Sequence, residues 1–314
     1  MKPFYPLAAT ALLLLVSLGA ARGQSEAVFT HYTVQPFLLN PALAGFDDLH
    51  QIRINYRSSF TGFPDAPNTY ALTYNGPVAR TFGLGGQVLA ENIANTFRYS
   101  VRGSYAFNAQ AGEFDLATGF STAFSNFRLR EEPLNSPGYE GGDPVVMQAL
   151  DAENNFDAAL GFYARYQGRT FAGLTFPSLI SARLNQIEVG GEENRGGLDN
   201  FILRLGQEIR IRERNFQVTP SVMLARVFGA PFRVDFNAVA SFLDEQFISG
   251  LSYRAGTGNE VGLLLGTKLN RLRLFYSYDV NFGDFQTYNG GGHELTLGFD
   301  FDSKERQVDA ARYE

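Results

Sequence analysis

From residue 52 almost to the end of the chain, apolar and polar residues alternate one for one in fourteen separate runs. Ile52, Ile54 and Tyr56 alternate with Arg53, Asn55 and Arg57. Phe201, Leu203, Leu205, Ile209 and Ile211 alternate with Arg204, Glu208, Arg210 and Arg212. Leu295, Leu297, Phe299 and Phe301 close the series against Glu294, Thr296, Gly298 and Asp300. A period of two sends successive side chains to opposite faces of a strand. The apolar face carries no Asp, Glu, Lys or Arg in any run, while the opposite face is full of them. A soluble barrel would bury its apolar face inside, but fourteen strands enclose a lumen too wide for side chains to fill. Turning the pattern inside out, apolar to lipid and polar to lumen, removes the difficulty. Residues 49–302 are therefore expected to form an all-β, 14-stranded antiparallel transmembrane β-barrel, with strands of about ten residues suited to a tilted crossing.

Loop lengths point the same way. Short connections are expected near Asn75–Arg80, Asn108–Glu113, Gln167–Arg169, Glu213–Asn215, Leu243–Gln246 and Asn270. The long ones, Arg128–Asn155, Pro177–Asn200 and Phe282–Gly292, all fall on the other side. That parity suits short periplasmic turns and long outer loops. Pro220 interrupts the ninth run and predicts a local defect or bulge.

Ahead of the strands, residues 1–23 have the pattern of a secretory signal. Lys2 supplies the charge, Ala8–Ala20 the apolar stretch, and Ala21 and Gly23 the small residues before a cleavage point. The product would be a protein of the cell outer membrane. Residues 24–48 read neither as strand nor as helix. Pro36 and Pro41 each remove a backbone donor, Asn40-Pro41 favours a turn and Gly45 permits one. Yet Phe37, Leu38, Leu39, Leu43 and Phe46 are apolar and need shelter. This segment is expected to lie inside the barrel or across its periplasmic mouth as a plug. The charged stretch 303–314 reads as a periplasmic tail.

The inventory argues against catalysis. There is no Cys, and the three His (His31, His50, His293) have neither triad nor metal-ligand spacing. No cofactor and no metal are expected; the acidic residues Glu140, Asp143, Asp151 and Glu153 match no calcium loop. The inward arginines Arg53, Arg57, Arg98, Arg102, Arg204 and Arg210 could bind an anion, or pair with Asp115, Glu208, Asp235 and Glu260 to hold the lumen together. Gly83, Gly85 and Gly86 lie within a strand, so a phosphate cradle is not expected. The chain is acidic, with net charge −6, which disfavours a nucleic-acid partner.

Phe29–Phe46 resembles the opening motif of the PorP/SprF family of the Bacteroidetes type IX secretion system, FSQYxxNPxxxNPAxAG. Phe29, Tyr32, Pro36, Asn40, Pro41, Ala42, Ala44 and Gly45 match, and Gln35 stands for the usual Asn. A second motif, YRxQWxGxxGAPxT, is matched by Tyr56, Arg57, Gly62, Ala66, Pro67 and Thr69, with Phe60 in place of Trp and Ser59 in place of Gln. FAGLTFPSLIS from Phe171 is similar to the family's GLSVPHL, and GHELTLGFDF from Gly292 to its closing HEISLxY strand. The resemblance implies an outer-membrane component of that secretion system, supporting secretion or surface anchoring of cargo such as adhesins, in gliding motility or protein export. It also implies the secretion-ring proteins and secreted cargo as partners, besides outer-membrane lipid. Tyr32, Pro36, Asn40, Pro41, Ala42 and Gly45 are the candidate plug or partner-binding residues, with Tyr56, Arg57, Gly62 and Pro67 as further motif positions. The alternative is a fatty-acid-transporter-like barrel for uptake of hydrophobic small molecules, which needs an apolar lumenal pocket.

Overall fold

A computed structural model describes residues 29–63, 65–129, 153–180, 200–211, 215–227, 230–256, 259–282 and 290–302. The signal stretch 1–23, the tail 303–314 and most of the three long loops, including Glu140, Asp143 and Asp151, lie outside the described residues.

The strands are β1 (Leu49–Ser58), β2 (Asn68–Ala79), β3 (Phe82–Ile93), β4 (Thr96–Ala111), β5 (Phe114–Leu129), β6 (Glu153–Tyr166), β7 (Thr170–Phe176) and β8 (Phe201–Gln207). They continue as β9 (Ile209–Ile211), β10 (Phe216–Arg226), β11 (Arg233–Phe242), β12 (Phe247–Ala255), β13 (Glu260–Leu269), β14 (Leu272–Asn281) and β15 (Gly292–Asp302). Neighbours in sequence pair antiparallel, except that β8 and β9 both pair with β10, and β15 returns to β1, where Ile54 faces both Leu72 and Leu297. The sheet has no free edge, which is how a β-structure satisfies its backbone inside a bilayer.

β8 and β9 are one strand. Both pair with β10 in a single register, Gly206 opposite Ser221 and Ile209 opposite Val218. Pro220 has no N–H to offer there, so the ladder lapses around Glu208 and resumes beyond it. The expected defect at Pro220 is thus a missing rung without a bulge, and the closed barrel has fourteen strands.

Exposure follows the sequence alternation. Ile54 is 55% exposed on the outer wall, while Arg53 and Arg57 on either side are 4% and 5% exposed inside. Paired aromatics near the short-turn end, among them Phe82 with Phe107 and Phe114 with Tyr166, fit an interfacial girdle. Two expected turns are shorter than the sequence suggested. β2 runs on to Ala79, with a register shift between Pro77 and Ala79, and β4 runs on to Ala111. Ladder hydrogen bonds persist beyond the point where apolar alternation stops, because strand pairing does not require a lipid-facing side chain.

Candidate functional site: the lumen and the N-terminal segment

Residues 29–46 lie among the inward faces of the strands. They form three single-turn 3-10 helices, His31–Thr33, Pro36–Leu38 and Pro41–Leu43. Pro36 and Pro41 sit at helix starts, where a missing N–H costs nothing. Asn40 caps the third turn: its Oδ1 accepts from Ala42 N–H at 2.9 Å, while its Nδ2 donates to the Phe162 carbonyl of β6 at 3.0 Å. Gly45 takes φ +65°, donates its N–H to Asn75 Oδ1 at 3.3 Å, and approaches the Gly76 backbone so closely that a β-carbon would come within 2.7 Å of it.

The wall makes room by omitting side chains. A β-carbon at Gly83 would strike the Ala44 carbonyl, one at Gly85 the Phe37 ring, one at Gly119 the backbone at Ala42, and one at Gly161 the Asn40 side chain. Phe37, Ala42, Leu43, Ala44 and Phe46 then pack against Ala106 and Ala117 of β4 and β5. Gly83 and Gly85, which are no phosphate cradle by sequence context, are the floor under this segment.

A buried ionic cluster holds the other end. Glu294 of β15 is completely buried and accepts the Thr30 N–H at 2.7 Å, the His31 N–H at 3.2 Å, Asn55 Nδ2 at 2.8 Å and Arg57 at 3.0 Å. Asp279 of β14 accepts from Arg57 at 2.5 Å and from the Thr30 hydroxyl at 2.8 Å. Two carboxylates on one guanidinium satisfy what desolvation would otherwise make prohibitive. His31 places Nδ1 2.7 Å from Thr296 Oγ1. Burial foremost holds its pKa below the ordinary value of 6.5, against the opposing pull of Glu294. Tyr32, 1% exposed, donates to Asp235 at 3.0 Å and accepts from Asn237 at 2.9 Å. Burial foremost, with Asp235 beside it, pushes its phenol pKa far up and keeps it a neutral donor.

The arrangement brings together Tyr32, Pro36, Asn40, Pro41, Ala42, Gly45 and Arg57. It leaves the other motif positions apart. Tyr56 faces outward and donates to Asn68 at 2.9 Å, and Gly62 and Pro67 shape the β1–β2 loop, where the Pro67 carbonyl accepts from Ser59 N–H. His50 and His293 lie outside the lumen in aromatic clusters, against Phe301 and Tyr278 respectively. Two of the expected lumenal ion pairs form, Arg57 with Glu260 and Arg210 with Glu208; Asp235 and Asp115 pair instead with arginines outside the expected set, Arg233 and Arg254 for Asp235 and Arg165 for Asp115. Others have different acids, Asp300 for Arg53 and Glu91 for Arg98. Arg204 faces no carboxylate among the described residues; it donates to the Thr33 carbonyl at 3.1 Å and lies over the Tyr32 and Phe171 rings. The acids that matter most, Glu294 and Asp279, were missed as site residues. Their inward parity was readable, but not that the N-terminal segment would meet them.

No group of three metal-ligating side chains occurs among the described residues. Among the described residues the site is a set of contacts between a lumenal segment and a wall.

A closed fourteen-stranded barrel with an apolar exterior and an ionic lumen defines an outer-membrane β-barrel protein. The family described as type IX secretion system membrane protein PorP/SprF matches residues 21–299. The chain belongs to that family and is a membrane component of the secretion system. No curated protein matches. Among solved structures, the barrel is similar to the CymD monoaromatic hydrocarbon channel, at 10% identity and TM-score 0.50 over 91% of this chain and 95% of that one. It is also similar to the Acinetobacter baumannii outer membrane protein Omp33, at 10% identity and TM-score 0.49 over 81% and 99%. The P. putida toluene transporter TodX aligns at 9% identity and TM-score 0.48 over 82% and 91%. At such identities the likeness speaks to the fold alone.

Proposed function

We propose that this barrel supports secretion or surface anchoring of cargo such as adhesins, and that residues 29–46 are its plug and a docking surface for a secretion partner or cargo. One observation carries the reading. Of the residues matching the family's opening motif, Asn40, Pro41, Ala42, Ala44 and Gly45 are seated against wall glycines and Tyr32 against Asp235 and Asn237, so the motif encodes a fit between segment and barrel. A segment this closely fitted closes the mid-lumen while in place, and its removal opens a path. The uptake alternative is less well supported. It needs an apolar lumenal pocket, whereas Arg57, Arg254, Asp235, Asp279 and Glu294 make the lumen around the segment ionic.

Deleting residues 30–45 tests the proposal. A barrel that keeps its heat-modifiable mobility but becomes permeable, displays less cargo on the cell surface and co-purifies fewer secretion-system proteins supports it. Unchanged permeability and unchanged cargo display would reject it.

A further inference from the structure

The outer wall is not evenly convex. On its lipid-facing side a hollow of about 870 Å3 spans β6 to β12. Its floor is made of short outward side chains, Ala164, Ala172, Pro220 and Ala238, and larger residues such as Tyr166 and Tyr253 stand around it. A second hollow of about 440 Å3 shares Ala164 and Ala172 and extends the depression toward β4. The hollow lies over the missing rung at Pro220.

One end of the hollow is polar. Thr170 and Gln207 are paired across β7 and β8, line the cavity and are exposed. Tyr166 pairs with Thr170 and stacks against Phe114 in the aromatic girdle, so this polar end is at headgroup depth. The amide and hydroxyl donors complement a phosphodiester; the floor behind them complements acyl chains.

We propose that this hollow is a binding site for one phospholipid of the leaflet at the short-turn end. Its acyl chains lie on Ala164, Ala172, Pro220 and Ala238, and its phosphate is held at Thr170 and Gln207. Within a bilayer no hydrophobic drive separates this lipid from its neighbours. Selective retention therefore comes from packing in a concave site, where an unfilled hollow forfeits dispersion contacts, and from the headgroup donors.

The test is native mass spectrometry of the full-length barrel, reconstituted with a defined phosphatidylethanolamine and phosphatidylglycerol mixture and washed in a mild detergent. Wild type is expected to retain one phospholipid. Ala172→Phe and Ala238→Phe, which fill the hollow, are expected to lower retention about tenfold, as is Gln207→Leu, each corresponding to about 1.4 kcal/mol. Gly103→Phe, placed outward on β4 in open space, should leave it unchanged. Heat-modifiable mobility reports folding, and Gln207→Leu keeps the test decisive if a phenylalanine variant does not fold. Loss of all phospholipid from wild type, equal retention in folded variants, or retention of a single-chain fatty acid in its place would overturn the proposal.

Discussion

Asn40 and Gly161 meet where no larger residue would fit: the amide oxygen that caps the third 3-10 turn occupies the space a β-carbon at position 161 would need. The segment and the wall are therefore specified by each other. Asn40→Leu removes the acceptor for the Ala42 N–H and the donor to Phe162, leaving backbone groups unpaired at about 1–3 kcal/mol. The barrel ladder is untouched. Hydrogen exchange in residues 29–46 should rise at least several-fold while strand amides stay protected; unchanged exchange in the segment would show the cap to be dispensable.

Gly161→Ala is expected to produce the same loosening from the opposite side. It adds one methyl group in a β-conformation that alanine adopts freely, so the effect is steric. Single-channel conductance should increase in both variants, and combining them should cost less than the sum of the two, because they disturb one contact. Strict additivity would mean that the two residues act separately.

The Arg57 cluster makes a sharper energetic prediction. Removing the cation with Arg57→Met leaves Glu294 and Asp279 as uncompensated buried carboxylates, a loss of about 3–5 kcal/mol. Replacing its acidic partner as well, in Arg57→Met with Glu294→Leu, should recover part of that loss. Denaturant midpoints for the two single variants and the double variant measure the coupling. A double variant worse than Arg57→Met would contradict the pairing.

The barrel was legible because lipid imposes a period of two over more than two hundred residues, and the pattern needs no tertiary information. Closure, strand count and outward face all follow from it. The site was legible only in part. Tyr32, Asn40 and Gly45 stand out in an apolar, turn-rich stretch, and family resemblance marks them. The partners of Tyr32 and Asn40 are more than a hundred residues away on the strands, and parity says only that Glu294 faces inward, not what it meets. Gly83, Gly85, Gly119 and Gly161 carried a signal that composition hides. Glycine at inward positions weakens a strand unless another backbone passes close by.

Acidification should loosen the same segment. In place, burial keeps the His31 pKa below 6.5, so the unfolded or released segment takes up the proton first. The stability contributed by neutral His31 is full above about pH 6.5 and is lost as pH falls through the lower, seated value. Glu294, Asp279 and Arg57 also face this residue. Comparison with His31→Gln isolates the histidine: segment exchange in wild type should rise more steeply below pH 6.5 than in the variant. Equal slopes would show that His31 does not set the pH dependence.

Orientation is open to a direct chemical test because the chain contains no cysteine. A single introduced cysteine is then the sole thiol. Phe60 lies in the β1–β2 loop and Asn270 in the β13–β14 turn, at opposite ends of the barrel, and both have positive φ in exposed connections. With short turns toward the periplasm, Phe60→Cys should react with an impermeant maleimide on intact cells. Asn270→Cys should react only after the outer membrane is breached. The positive φ at both sites costs a cysteine about 1–2 kcal/mol, which a closed barrel tolerates, so heat-modifiable mobility should be unchanged. Labelling of Asn270→Cys but not Phe60→Cys on intact cells would invert the barrel, and would move the lipid-binding hollow to the outer leaflet with it.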